Sequence, residues 1–74
     1  MSYALPYATR VRISVYNLQG KRLKTLVDAQ QVAGHHIASW EGRSDDGTTA
    51  GSGVYVVQMT AGRLNATHKI VLVR

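Results

Sequence analysis

The sequence predicts an all-β protein, an antiparallel β-sandwich of six to seven short strands, on three observations. Apolar and polar residues alternate in several short runs. Clusters of Gly, Asn, Asp and Ser separate those runs at regular spacing, and no stretch keeps the 3.6-residue period of a stable helix. The 74 residues, 45% hydrophobic, allow a single folded domain over 1–74 and leave nothing for a second core. A domain this small buries only about 60% of the surface its unfolded chain exposes, so nearly every apolar residue is needed in that core. With no Phe and one Trp, the core has to be built from Val, Ile, Leu, Ala, Met and Tyr, a mixture that favours strands.

The elements follow in order. Ser2 to Leu5 forms a short first strand stopped by Pro6. Arg10 to Tyr16 alternates cleanly, with Val11, Ile13 and Val15 on one face and Arg10, Arg12, Ser14 and Tyr16 on the other. Asn17 to Lys21 supplies a turn, and Arg22 to Val27 resumes the alternation with Leu23, Thr25 and Val27 opposite Lys24 and Leu26, which predicts a hairpin. Asp28 to Ala33 is polar and predicts a connection. From Gly34 a further strand is expected to carry His36, Ala38 and Trp40 on one face, with Trp40 inside, and His35, Ile37 and Ser39 on the other. Glu41 to Gly53 is the longest loop, dense in Gly and in residues that bond their own backbone, with Asp46-Gly47 as its turn. Val54 to Thr60 is apolar on both sides, as a strand central to a sheet should be, with Tyr55, Val57 and Met59 facing together. After a turn at Ala61 to Asn65, Thr67 to Arg74 closes the fold with Ile70 and Leu72 on one face and Lys69, Val71 and Val73 on the other. The expected core joins two sheets over Trp40, Tyr55, Ile13 and Leu72.

Nine Lys and Arg against four Asp and Glu give a formal charge of +5 and a pI of about 10.1. Nucleic-acid binding would need those cations gathered into a stripe, whereas they are spread from Arg10 to Arg74 and are dense only between Lys21 and Lys24. They read as solubilising residues that blunt strand edges, and no nucleic-acid partner is expected. No Cys is present, which removes disulfides, thiol chemistry and zinc–thiolate sites. No apolar run approaches the roughly 20 residues of a membrane-spanning helix, and the opening residues do not resemble a signal peptide.

The residues Tyr3-x-Leu5-Pro6, Val11-x-Ile13-x-Val15-Tyr16-Asn17-x-x-Gly20, Leu26-Val27-Asp28, Ala33-Gly34-x-His36, Trp40-Glu41-Gly42, Gly47, Ser52-Gly53-Val54-Tyr55 and Lys69-Ile70-Val71-Leu72 occur in this order along the chain. Together they resemble the C-terminal sorting domains of the type IX secretion system. The pattern covers nearly the whole chain and is shared with the immunoglobulin-like domain of the flagellar hook-capping protein, so it specifies the fold more closely than the choice between those two roles. Glu41 stands where the sorting family usually has Asp, Val56 where it often has Phe, and Ile70 where it often has Met. The resemblance implies an immunoglobulin-like sandwich that directs secretion and surface attachment of a larger exported bacterial protein. Its partners would be the outer-membrane secretion machinery and an upstream cargo domain of the parent protein. It would be secreted or attached at the cell surface, with the last strand, Lys69, Ile70, Val71, Leu72, Val73 and Arg74, as the segment recognised. The alternative is an extracellular structural or binding module of the hook-capping or carbohydrate-binding type.

Neither catalysis nor a cofactor is expected. Of the four acids, Asp45 and Asp46 are adjacent in a turn, Asp28 lies in a connection and Glu41 follows Trp40, so no pair is set across a bond to be broken. The three His form no ligand set at metal spacing; His36 is expected to be packed and hydrogen-bonded, His35 and His68 to face water. Asp45-Asp46-Gly47 has the oxygen density of a calcium loop but not its spacing, and a tight turn accounts for the same residues. Tyr3, Tyr7 and Tyr16 are too scattered to make a sugar-stacking platform and are assigned to core and rim.

Overall fold

The computed structural model describes residues 1–73. It contains six strands: β1 (Ser2–Leu5), β2 (Thr9–Tyr16), β3 (Arg22–Gln31), β4 (Gly34–Ile37), β5 (Gly53–Ala61) and β6 (Leu64–Leu72). All pairing is antiparallel, in one two-stranded sheet β1-β4 and one four-stranded sheet β3-β2-β5-β6. The chain is an antiparallel β-sandwich, as its alternation predicts, of the immunoglobulin-like type that the resemblance implies, in which a short sheet lies over a longer one.

The core sits between them. Tyr3 and Leu5 come from β1, and Ala38 from just beyond β4. Val11, Ile13 and Val15 come from β2, and Tyr55, Val57, Met59 and Ala61 from β5. The three aliphatic residues of β2 are completely buried. Each such side chain contributes about 1.5–3 kcal/mol by leaving water, so this central strand anchors the molecule. The period of two sends one residue to the core and the next to the outer face, and β5 keeps the same phase from Tyr55 to Ala61.

β3 departs from the expected alternation. Its pairing with β2 slips between Ile13 and Ser14 and again between Val15 and Tyr16, leaving Leu26 and Leu23 as extra residues on the β3 side. Each bulge resets the phase of the strand. Leu23, Leu26 and Val27 consequently all pack against the core, although strict alternation places Leu26 opposite the other two. The strand also runs on through the polar segment expected to be a connection: Asp28 pairs with Arg12 and Gln30 with Arg10. Those positions are polar because β3 is an edge strand with one face in water.

β4 is shorter than expected, ending at Ile37. One further pair extends its ladder, with Ala38 N–H donating to the Met1 carbonyl at 2.8 Å and the Met1 amine donating to the Ala38 carbonyl at 2.7 Å. Trp40 therefore lies beyond the short sheet, and it is half-buried against the margin of the core rather than enclosed between the sheets. Leu72, at the end of edge strand β6, is likewise half-buried. Of the four side chains expected at the centre, Ile13 and Tyr55 are there, and Trp40 and Leu72 are at its margin.

The β5–β6 hairpin turns on Gly62 and Arg63, with Ala61 paired to Leu64. Gly62 has φ of 61°, the left-handed conformation that a Gly-X hairpin turn requires at its first central position. A Cβ there would also come within 3.1 Å of Thr9 Oγ1 and the Tyr7 hydroxyl, and the latter accepts a hydrogen bond from Arg63 N–H at 3.4 Å. Tyr7 thus closes this end of the sandwich from the rim.

Candidate interaction surfaces

β6 forms one edge of the larger sheet. Lys69 pairs with Val56, Val71 with Val54 and Leu72 with Gly53, so the last strand divides its side chains between two environments. Ile70 and Leu72 are half-buried against the core. Lys69, Val71 and Val73 are exposed, the two valines at 68% and 82%. The segment expected to be recognised therefore combines core packing with an apolar and cationic outer row; its final member, Arg74, lies outside the described residues.

The other edge, β3, is closed at its start by the 41–52 loop. Asp45 N–H donates to the Leu23 carbonyl at 2.7 Å, the Asp45 carboxylate accepts from Thr25 N–H at 3.2 Å, and Lys24 Nζ lies 3.3 Å from the same carboxylate. A single residue here does what a neighbouring strand would do, satisfying the backbone between the two bulges.

Asp46, next in sequence, holds the loop in shape. Its Oδ1 accepts from the Ser44 hydroxyl, from Thr48 N–H at 2.9 Å and from the Thr48 hydroxyl at 2.6 Å. Gly47, at φ 88°, completes a tight turn by donating its N–H to the Ser44 carbonyl at 3.0 Å. The Ser44 hydroxyl first, then the hydroxyl and N–H of Thr48, hold the Asp46 carboxyl far below the usual carboxylate range. The sign follows from linkage. A carboxylate whose folded-state pKa is depressed supports the fold fully above the ordinary Asp value of about 3.9 and loses that support as the pH falls toward the depressed value. The Thr48 amide should accordingly stay protected from exchange between neutral pH and about pH 4 and open progressively in stronger acid. In Asp46→Ala, which removes the acceptor, it should already be open at neutral pH, and equal protection in the two proteins would contradict this.

No group of three or more His, Cys, Asp or Glu that could hold a metal ion occurs among the described residues. Asp45 and Asp46 are each engaged in the loop as described. The His36 ring stacks on Tyr3 with centroids 5.4 Å apart, and its Nε2–H donates to the Val32 carbonyl at 2.8 Å. His36 is a packed, hydrogen-bonded residue, as expected, and His35 and His68 are exposed. Tyr3 is buried, with its hydroxyl donating to Gln31 Oε1 at 2.6 Å, Tyr7 is on the rim and Tyr16 is half-buried on the outer face, so the three do not meet.

A hollow of about 550 Å³ opens between β3 and the loop beside Trp40, with Lys24, Glu41, Arg43 and Asp45 among its lining residues. Trp40 is pinned there, its Nε1–H donating to the Arg43 carbonyl at 2.8 Å and its ring meeting the edge of Tyr55 at 5.0 Å and 68°. The Lys24–Asp45 pair at its wall serves the β3 edge.

A second hollow, of about 430 Å³, lies on the outer face of the four-stranded sheet between Tyr16, Leu18, Val56, Gln58 and Thr67. Sequence reasoning missed it because Leu18 sits in the expected turn and Val56 on the outer side of an expected central strand. The signal was present in both: an apolar residue in a turn, and a strand apolar on two faces. Ser14, on this same face beside Gln58, is buried, and its Oγ has no hydrogen-bond partner.

The family model of the FlgD Ig-like domain matches residues 3–65. No curated protein matches the chain.

Proposed function

Because the chain belongs to the FlgD Ig-like domain family, we propose that it is a non-catalytic structural and binding module of a larger exported protein, acting outside the cell by presenting folded surface to another protein. The observation that carries this reading is how its polar groups are used. Asp28 bridges to Arg10 at 2.8 Å and to Arg12 at 3.9 Å, Asp45 closes the β3 edge and Asp46 shapes its own turn. These groups are committed to the scaffold, and what remains on offer is sheet edge and sheet face. Deleting the module from its parent protein should abolish incorporation of the parent into its extracellular assembly while leaving export intact. Unimpaired assembly would refute the reading.

The sorting role has a narrower support, the bare β6 edge with Lys69 and Val71 exposed. An edge of this kind can add a strand from a partner, with backbone hydrogen bonds supplying affinity and alternate side chains supplying choice. On that reading a reporter fused to the module reaches the surface of a host equipped with the type IX system, and Lys69→Glu with Val71→Asp stops it. Because both side chains point away from the core, the fold survives that double change. A fusion retained inside the cell, or one exported regardless of the changes, discards the sorting role and leaves the structural one.

A further inference from the structure

We propose that the outer face of the four-stranded sheet, around the hollow walled by Tyr16, Leu18 and Val56, docks an extended acidic segment of another protein that carries aliphatic side chains between its carboxylates. The proposal rests on the module reading in one respect, that the chain acts by binding, and goes beyond it in naming the face and the partner chemistry.

A sheet with one face on the core is polar on the other. The β3 side of this face conforms, with Arg10, Arg12, Asp28 and Gln30 in register. The opposite end does not. Tyr16 lies directly across from Val56, and Val54 from Val71. Leu18, 64% exposed, stands beside them at the β2–β3 turn. The turn itself has no need of Leu18, since Asn17 makes its bonds, the side-chain Oδ1 accepting from Gln19 N–H at 3.0 Å and Lys21 N–H at 2.9 Å. Single exposed apolar residues need no explanation, but exposed Leu18 and Val71 set beside half-buried Tyr16, Val54 and Val56 form a continuous apolar end of the face.

Charge selects the occupant. Lys21, Arg22 and Lys69 are exposed at or next to this end of the sheet. The acid on the face, Asp28, is held between Arg10 and Arg12. A second copy would set these cations against their own kind. Among the described residues it also brings no acidic side chain without a partner, because Asp45 and Asp46 are bound in the loop and Glu41 has its own partner. Aliphatic walls with one Tyr give bases little to stack on, which disfavours nucleic acid. A carboxylate-bearing protein segment fits. Along β6 the outward positions read Thr67, Lys69 and Val71, a hydroxyl, a cation and an aliphatic group at every second residue. An extended chain has the same period, so it can set a carboxylate on Lys69 while aliphatic groups meet Val71 and the hollow.

The test uses the 74-residue chain and a labelled peptide of about twelve residues in which Val and Glu take alternate second positions with Ser between them. Binding should perturb the amides of Tyr16, Leu18, Val56, Gln58, Thr67, Lys69 and Val71 and weaken with added salt. Leu18→Ser and Lys69→Glu, both exposed and so neutral for folding, should each weaken it about tenfold. A peptide with Lys for Glu, or with Ser for Val, should fail to bind. Equal binding of the Val-free peptide, indifference to Leu18→Ser, or perturbations elsewhere would overturn the proposal. So would concentration-dependent shifts at these residues without peptide, which mark a second copy, or displacement of the peptide by vesicles of anionic lipid. None of these outcomes bears on whether the parent protein needs the module for assembly, so the two readings fail separately.

Discussion

Ile13→Ala should cost about 4 kcal/mol and leave the domain barely stable at room temperature. Ile13 is the largest of the completely buried side chains and sits in the middle of β2, between Val27 of β3 and Met59 of β5. Truncation loses its transfer free energy and opens a cavity, and hydrogen-bonded strands on both sides keep the backbone from collapsing into the space. A domain of this size starts at the low end of the usual 5–15 kcal/mol, so the loss takes most of its stability. Urea titration followed by far-ultraviolet circular dichroism should show the folded baseline shortened or gone. A curve superimposable on that of the parent would mean the centre of the sandwich lies elsewhere.

Tyr55→Ala should be nearly as damaging, at about 3–5 kcal/mol, and its effect should reach the long loop. The Tyr55 ring is 9% exposed, its hydroxyl donates to the Gly51 carbonyl at 2.6 Å, and its edge is what Trp40 rests on. Tyr55→Phe keeps the ring contact and loses the hydrogen bond, for about 1 kcal/mol. The two variants separate packing from bonding. Trp40 supplies the readout, since removing its wall should shift indole emission to the red in the Ala variant and hardly at all in the Phe variant. Unchanged emission in the Ala variant would show that Trp40 is held by the loop alone.

The alternating runs were legible because burial and sequence share a period of two wherever a strand is straight and central. Val11, Ile13 and Val15, and Tyr55, Val57 and Met59, fall on the core face as the pattern requires. Legibility failed at β3 for a definite reason. Two bulges turn Leu23 and Leu26 inward together, and a bulge is set by cross-strand pairing that the local sequence does not contain. Trp40 was misplaced by the same limit. Its phase suggests an inward residue, but β4 stops before reaching it, and the upper sheet is too short to cover that position. The β3 closure by Asp45 depends on a loop returning 20 residues later, and in the sequence Asp45 shows only as a turn former. The outer hollow joins residues from β2, its turn, β5 and β6, so only the assembled sheet reveals it. The last strand was legible as a strand with two faces; its edge position was not, because strand order is a property of topology.

The two margins of the larger sheet are unequal, and this limits how copies of the domain can join. A fibre grown strand upon strand needs every subunit to accept a neighbour on the left and offer one on the right. Here Asp45 already occupies the beginning of one margin, as a cap that each molecule carries for itself. Strand-on-strand growth is therefore hindered at the start of β3, and β6 is the margin better suited to receive a guest.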